Sequence, residues 1–555
     1  MPTEPFKTRK SETRGAKDFD LIVIGAGING AGIARDAAMR GLTVLLVDKG
    51  DIGGGTSSWS TRLIHGGLRY LEHAEFGLVR ESLREREILF RLAPHLVKPL
   101  PMLIPLYRGA RRSPWTIRAG MIAYDLLSTG KSLPGYRMLS HAEALDQAPG
   151  LEPKGLLGAA VYYDAQVEFA ERLVLENALS AQHHGASVRT YARVEQFVIE
   201  DDRVVGVELT NLISGERYST RGRITINAAG PWVDEILGVS SGVRLIGGTK
   251  GSHLVVGRFP GAPQTALYVE AGADSRPFFI IPWNGNFLIG TTDKRFEGSP
   301  DGAAIDEAEI EYLLGETNRV IPGAKLTRES ILFSYSGVRP LPFTSNKHEQ
   351  SITRRHFIHS HGKPRNLFSI IGGKLTTYRS LSEEAVDLVV RTMGRKAPRC
   401  RSKDEPLPGG AMLDLGGLPD ELVNRGLSAT TIDHLSRVYG MRAGEVMKLA
   451  DDDPTLLEIF DSETGAIGAE VVFAFKHELA QTLRDCLLRR TMVGLNSTNG
   501  KDAVHAAAHI AQRHLDWSTE RVKDEIENFL ASGVRQAASL SRLLMEATLP
   551  RKTAG

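Results

Sequence analysis

Residues 19–50 read FDLIVIGAGINGAGIARDAAMRGLTVLLVDKG, and their pattern decides the fold. An apolar run ends in a cluster of glycines. A small-residue helical segment follows, and a second apolar run, TVLLV, closes on Asp48. The order is strand, turn, helix, strand: a βαβ unit. Gly25, Gly27 and Gly30 stand as G-x-G-x-x-G where strand meets helix. The first glycine makes the tight turn, the second lets the backbone approach a pyrophosphate, and the third lets helix and strand pack closely. The helix start offers N–H groups and a positive dipole end to the phosphates. Asp48, at the end of the second strand, is placed to accept from a ribose hydroxyl.

A nicotinamide-binding chain would usually continue with the second half of a dinucleotide fold. This one runs into GDIGGGTSSWSTRLIHGG (50–67). A small, hydroxyl-rich segment so close to the pyrophosphate suits a cofactor carrying an isoalloxazine and buried along its length, which favours FAD.

The chain has 555 residues, too many for one ordinary core, so two or three domains are expected. A net charge of +2 gives no general nucleic-acid signature. Cys400 and Cys486 are too few for a disulfide framework, a zinc site or an iron–sulfur cluster, and a reducing compartment is expected. No apolar run reaches the roughly 18 residues of a membrane span. Residues 1–17 read as a disordered basic tail without the apolar core of a secretory signal. The expected organisation is discontinuous. Residues 18–98, 150–240 and 345–395 form an α/β cofactor domain. Residues 99–149 and 241–344 form an α+β substrate domain, 396–411 a linker and 412–555 an all-α C-terminal domain.

The segment SSWSTRLIHGGLRYLEH (57–73) fits no simple helix or strand period. Gly66 and Gly67 let backbone pass close to a flat ring. His65 is then held near that ring and able to take a hydroxyl proton. Arg69 and Tyr70 suit a small anion, since a guanidinium offers forked donors to phosphate or carboxylate. Two distant segments join them. YSGVRPLP (335–342) puts Arg339 in a turn before proline, and IGGKLTTYR (371–379) puts Lys374 after two glycines at a helix start. There its charge adds to the helix dipole in favour of an anion. The bland readings are a surface ion pair for Arg339 and a solvated first-turn side chain for Lys374. The clustering favours function.

Residues 20–73, with NAAGPWVD, KGSH, IGTTD, YSGVRPL and GGKLTTYR, closely resemble FAD-dependent glycerol-3-phosphate dehydrogenases, of the larger D-amino acid oxidase and glycine oxidase group. The helical tail fits through HELAQTLRDCLLRRTMVG (477–494). The resemblance implies an FAD-binding Rossmann-like domain of the glutathione-reductase/D-amino-acid-oxidase type. FAD would lie along Gly25, Gly27, Gly30 and Asp48. Its flavin end would lie near Ser57, Ser58, Gly66, Gly67, Gly373, Lys374, Leu375 and Thr376, with Val194, Ala229 and Gly230 completing the site. Arg69, Tyr70, Arg339 and Lys374 would bind the phosphate of sn-glycerol 3-phosphate. The C2 hydride would go to the flavin, giving dihydroxyacetone phosphate, and the electrons to a respiratory quinone. His65 is favoured as the base, and His253 of KGSH competes.

Two cysteines exclude the cysteine-rich module of anaerobic-type subunits, and no EF-hand loop is present, so no metal is expected. The spacing is uninterrupted where the oxygen-using glycerophosphate oxidases resemble this chain with an insertion, so a dehydrogenase is favoured. The alternatives are that oxidase, or a flavoenzyme acting on another small anionic hydroxy or amino acid. A flavin-binding scaffold without turnover would have no need of the base and phosphate set. Residues 106–127, LYRGARRSPWTIRAGMIAYDLL, place arginines beside tryptophan and aliphatic residues, which suits an anionic membrane surface. A homodimer, peripheral on the cytoplasmic face of the inner membrane, is the expected form.

Overall fold

The computed structural model describes residues 18–128, 130–238, 244–344, 352–410 and 418–531. The expected tail (1–17) lies outside them, as do the end of the expected linker and residues 532–555.

The opening stretch folds as β1 (Phe19–Ile24), α1 (Ile28–Met39) and β2 (Val44–Val47). β1 runs parallel to β2 on one side and to Arg217–Asn227 on the other. The strands Leu367–Ile371 and Ser187–Arg189 extend the parallel sheet outward. β1 and β2 are buried along their whole length because both faces are covered. Alternate side chains go to opposite sides. Leu21, Val23, Val44 and Leu46 pack toward α1 and the helices Ala170–His183 and Tyr378–Thr392. Ile22, Ile24, Leu45 and Val47 pack under the hairpin of Ala192–Glu200 and Arg203–Asn211. Gly32 allows the close helix crossing: a Cβ there would stand 2.5 Å from the Ser382 hydroxyl.

Among the described residues the second sheet has ten strands. The strand Thr249–Val256 lies between Asn286–Gly290 and Ile331–Arg339, and the long pair Val97–Tyr107 with Leu156–Val167 carries the sheet toward its other edge. Leu156–Val167 thus belongs to this sheet, not to the cofactor segment 150–240 in which the sequence reading places it. Its near-continuous burial fits a strand paired on both sides rather than a connector. One face of the sheet packs on the helix Glu307–Val320. The other packs on helices of the C-terminal unit, including Ala429–Tyr439 and Gly468–His477.

The expected linker is firmly held. The Arg35 guanidinium of α1 donates to the Ser402 and Glu405 carbonyls, and Leu407 is fully buried. The C-terminal unit, expected to be all-α, holds among its described residues a small hairpin, Ile459–Asp461 with Ala466–Ile467, besides its helices.

After β2 the chain crosses to the second sheet. Residues 50–60 leave the first sheet, and Leu63–Ile64 pair antiparallel with Gln166 and Ala165. His65 follows at once, so it sits where the two units meet.

Candidate active site

A cavity of about 910 Å³ opens at the carboxyl ends of the parallel strands. That is where open α/β sheets bind ligands. Gly25 and Gly27 line it after β1, Asp48 and Ser57 after β2, and Ala229 and Gly230 after Arg217–Asn227. Gly373, Lys374 and Leu375 line it after Leu367–Ile371, and Val194 contributes from the covering hairpin.

The glycine turn is built for different neighbours at each position. Gly25 has φ +101°, and a Cβ there would lie 2.7 Å from the Ala228 carbonyl oxygen. A Cβ on Gly30 would lie 1.8 Å from the Gly25 carbonyl oxygen, so this glycine serves helix–turn packing and does not line the cavity. At Gly27 the nearest atom to a Cβ would be the Ser57 hydroxyl, at 3.5 Å. The protein itself does not need glycine there; a group approaching from the cavity does. Asn29 also lines the cavity and carries a buried Oδ1 without a partner. Both features fit a dinucleotide. The Asp48 carboxylate accepts the Ala26 N–H at 2.6 Å and the Gly50 N–H at 2.8 Å. Burial raises its pKa, and those two N–H groups oppose the shift. The Ser57 hydroxyl accepts the Ile28 N–H at 3.0 Å.

Gly66 and Gly67 answer to the protein before any ring. A Cβ on Gly66 would stand 2.4 Å from the Tyr124 hydroxyl, and one on Gly67 would stand 2.0 Å from the Tyr70 ring. Neither lines the cavity. Ser58 is buried and donates to the Gly53 carbonyl, stitching the loop. Thr376 accepts the His65 N–H at 3.1 Å, and the Lys374 ammonium donates to the His65 carbonyl (3.2 Å) and Ser82 hydroxyl (2.9 Å). The same ammonium lies 4.7 Å from the Tyr70 ring centroid, and the Tyr70 and His65 ring centroids are 6.5 Å apart. The chain ends of two distant segments are thus tied around one histidine.

His253 does not itself line the cavity but contacts Tyr335, which does. Its ring stacks on Tyr335 at 4.8 Å, and its Nε2 meets the Thr61 hydroxyl at 2.9 Å. Its Nδ1 is buried without a partner. Burial lowers the pKa of both histidines well below the ordinary value. Lys374 and Arg69 add to this at His65, and Arg339 and Arg62 at His253. Each imidazole is therefore neutral at neutral pH. Burial likewise lowers the Lys374 pKa.

Arg339 is half-buried and paired. It donates to the Asp293 carboxylate at 3.1 Å and to the Thr291 hydroxyl at 3.1 Å. Arg354 and Arg276 converge on the same carboxylate, at 3.2 and 3.7 Å. Burial lowers the Arg339 pKa; Asp293 opposes this, and Arg354, Arg69 and Arg276 add to it. Several guanidiniums thus gather around the Asp293 carboxylate, Arg276 also reaching Asp274 at 3.9 Å, a cationic setting that suits an anion.

Residues 20–379 match the profile described as FAD dependent oxidoreductase, and residues 400–522 match the C-terminal domain of alpha-glycerophosphate oxidase. The chain belongs to the FAD-dependent oxidoreductase family. FAD is therefore its cofactor, and the protein is a flavoenzyme. A glycerol-3-phosphate dehydrogenase of Synechocystis is 48% identical to this oxidoreductase over 528 residues, 92% of this chain and 95% of its own. The D-erythritol 1-phosphate dehydrogenase of Brucella abortus is 38% identical over 498 residues, 87% of this chain and 96% of its own. A solved glycerol-3-phosphate dehydrogenase from Bacillus halodurans complexed with FAD superposes with a TM-score of 0.75 at 27% identity, covering 94% of this chain and 95% of its own.

Sequence reasoning missed several members of this oxidoreductase's site. Asp293 ends the motif IGTTD, which was quoted only for resemblance, and Arg276 and Arg354 sit in segments with no motif at all. Trp59 and Tyr335 also line the cavity, with ring centroids 5.6 Å apart. Only the folded sheet brings them together.

Proposed function

We propose that this flavoenzyme oxidises sn-glycerol 3-phosphate to dihydroxyacetone phosphate and passes the electrons to a quinone. The observation that carries the reading is the convergence of Arg339, Arg354 and Arg276 on Asp293, with Arg339 acting on the neutral His253. A phosphate fits that cationic setting, and a neutral imidazole fits the proton of the neighbouring hydroxyl. Bound FAD supplies the two-electron acceptor for the C2 hydrogen. The chain's own residues do the rest. Gly25 and Gly27 admit the pyrophosphate. Asp48 keeps lone pairs for a ribose hydroxyl beyond its two backbone bonds. Arg339, Arg69, Tyr70 and Lys374 hold the substrate phosphate and so fix C2. His65 accepts the hydroxyl proton, with His253 as the competitor.

The test is anaerobic bleaching of the purified yellow protein by a panel of substrates. Glycerol 3-phosphate should bleach it fastest, D-erythritol 1-phosphate more slowly, and glycerol or small hydroxy acids hardly at all. Fastest bleaching by another substrate overturns the assignment, and rapid reoxidation by oxygen would favour the oxidase. In the same assay Arg339→Ala should raise KM for glycerol 3-phosphate roughly 30- to 150-fold, the loss of a charge-assisted contact of about 2–3 kcal/mol. An equal loss with glycerol would remove Arg339 from the phosphate site.

Contact with an anionic membrane surface is part of the proposal. Among the described residues no helix is long and apolar enough to cross a membrane. The helix Pro114–Leu127 instead exposes Trp115 (75%), Ile122 (44%) and Leu126 (73%). Arg118 lies 5.9 Å from the Trp115 ring centroid, and Arg111 is exposed. Arg112 does not belong with them, because its guanidinium pairs with Glu72 and Glu270. Replacing Trp115, Ile122 and Leu126 with serine should move the protein from the cytoplasmic membrane face to the soluble fraction. At about 1 kcal/mol for each partly inserted side chain, vesicle partitioning should fall on the order of 100-fold. Activity with a soluble dye should persist. Unchanged sedimentation with anionic vesicles would assign the helix face another role. We expect a homodimer in solution, which analytical ultracentrifugation would check.

A further inference from the structure

We propose that the C-terminal unit acts as a clasp on the cofactor loop, with Arg490 and Arg489 as positioning residues for FAD. This rests on the FAD placement given above.

The loop from Asp48 to Ser57 forms one wall of the cavity and carries both groups that hold the glycine turn. Asp48 accepts from Ala26, and Ser57 accepts from Ile28. Between them Asp51 is 4% exposed. Its carboxylate accepts from Arg490 twice, at 2.8 Å to each oxygen, and from the Arg489 Nε at 2.5 Å. Burial alone would raise its pKa; Arg490 and then Arg489 reverse that and hold it below the usual carboxylate range. Both arginines come from the motif RDCLLRR, at the end of the helix Leu483–Arg489.

The connection closes on itself. Arg489 also donates to Asp485 at 2.8 Å, and Asp485 accepts the Tyr191 hydroxyl at 2.7 Å. Tyr191 lines the cavity and donates its backbone N–H to the Gly50 carbonyl at 3.0 Å, back in the loop. Ala192 donates to the Asp48 carbonyl at 2.7 Å. The two guanidiniums face two carboxylates, Asp51 and Asp485, so the cluster is balanced and does not offer itself as an anion site. Its product is geometry. It fixes the loop that fixes the turn that holds the dinucleotide.

Coupling of this kind is reciprocal. The clasp should tighten FAD binding, and FAD should protect the clasp. Arg490 does not line the cavity. An effect of Arg490→Gln on FAD is therefore indirect, and the comparison with Asp51→Asn shows whether it passes through that carboxylate. We expect Arg490→Gln and Asp51→Asn each to weaken FAD binding to the apoprotein by about 10- to 100-fold. The double variant should be little worse than either, and Arg490→Lys should recover part of the loss. In the wild type, FAD should slow amide hydrogen exchange across residues 483–491. FAD affinities within twofold of wild type, alongside a lowered Tm in apoprotein and holoprotein alike, would reduce the cluster to a structural tie and overturn the proposal. If the variants do not fold, wild-type exchange decides: no FAD-dependent protection at 483–491 overturns it. A misplaced FAD is distinguishable, since Gly27→Val would then retain the cofactor.

Discussion

Flavin reduction by glycerol 3-phosphate should slow by roughly 10²- to 10⁴-fold in the His65→Gln protein, with FAD content and substrate affinity little changed. Glutamine keeps size and polarity and cannot take the proton. The pH dependence sharpens the test. Burial, Lys374 and Arg69 hold the His65 pKa below its ordinary value of 6.5. A base works deprotonated, so the rate rises with pH through that pKa and is flat above it. The wild-type limb should therefore lie below pH 6.5, with a plateau through neutrality, and the variant should lose the limb. His253 is depressed in the same direction, by burial, Arg339 and Arg62. The limb's position cannot separate the two, and only the variants can. Near wild-type reduction in His65→Gln, with a slow, limbless His253→Gln, would make His253 the base and leave His65 as a wall held by Thr376 and Lys374.

Gly27→Val should yield folded protein almost devoid of FAD. The surrounding protein leaves room at this position, so the chain has no steric reason to misfold there. The branched side chain would stand where the pyrophosphate must approach. Near-ultraviolet absorbance after gel filtration, with far-ultraviolet circular dichroism as the control for folding, measures the outcome. Full FAD stoichiometry would put the phosphates elsewhere in the cavity.

The nucleotide end of this site is local in sequence, and so it was legible. Turn, helix start and the acid after β2 fall within thirty residues, and backbone rules govern each of them. The layered α/β fold followed from the same stretch, through the two apolar runs that became β1 and β2. The arginine–carboxylate cluster is non-local. Arg276, Asp293, Arg339 and Arg354 meet only because strands of the second sheet and the chain after it fold back on one another, and no spacing encodes that. Gly66 and Gly67 were noticed for their rarity beside a histidine. Their crowding comes from Tyr124 and Tyr70, which no local pattern reveals. Residues 150–167 read as a bridge back to the cofactor unit, yet a strand paired on both sides is apolar in either sheet. Arg112 looked lipid-facing beside Trp115 because its carboxylate partners lie 40 and 158 residues away.

The crossing of residues 50–64 from the first sheet to the second has a consequence for how such a protein can change. The segment that walls the cofactor also contributes the edge strand Leu63–Ile64 and delivers His65. Cofactor and substrate units are therefore not interchangeable cassettes. A graft cut at residue 98 would carry a strand of the recipient sheet along with the donor's base. A cut before residue 57 would strip the glycine turn of its serine. New substrate preferences on this scaffold are accessible through side-chain replacement on the second sheet, around Asp293 and Arg354, and closed to recombination between whole domains.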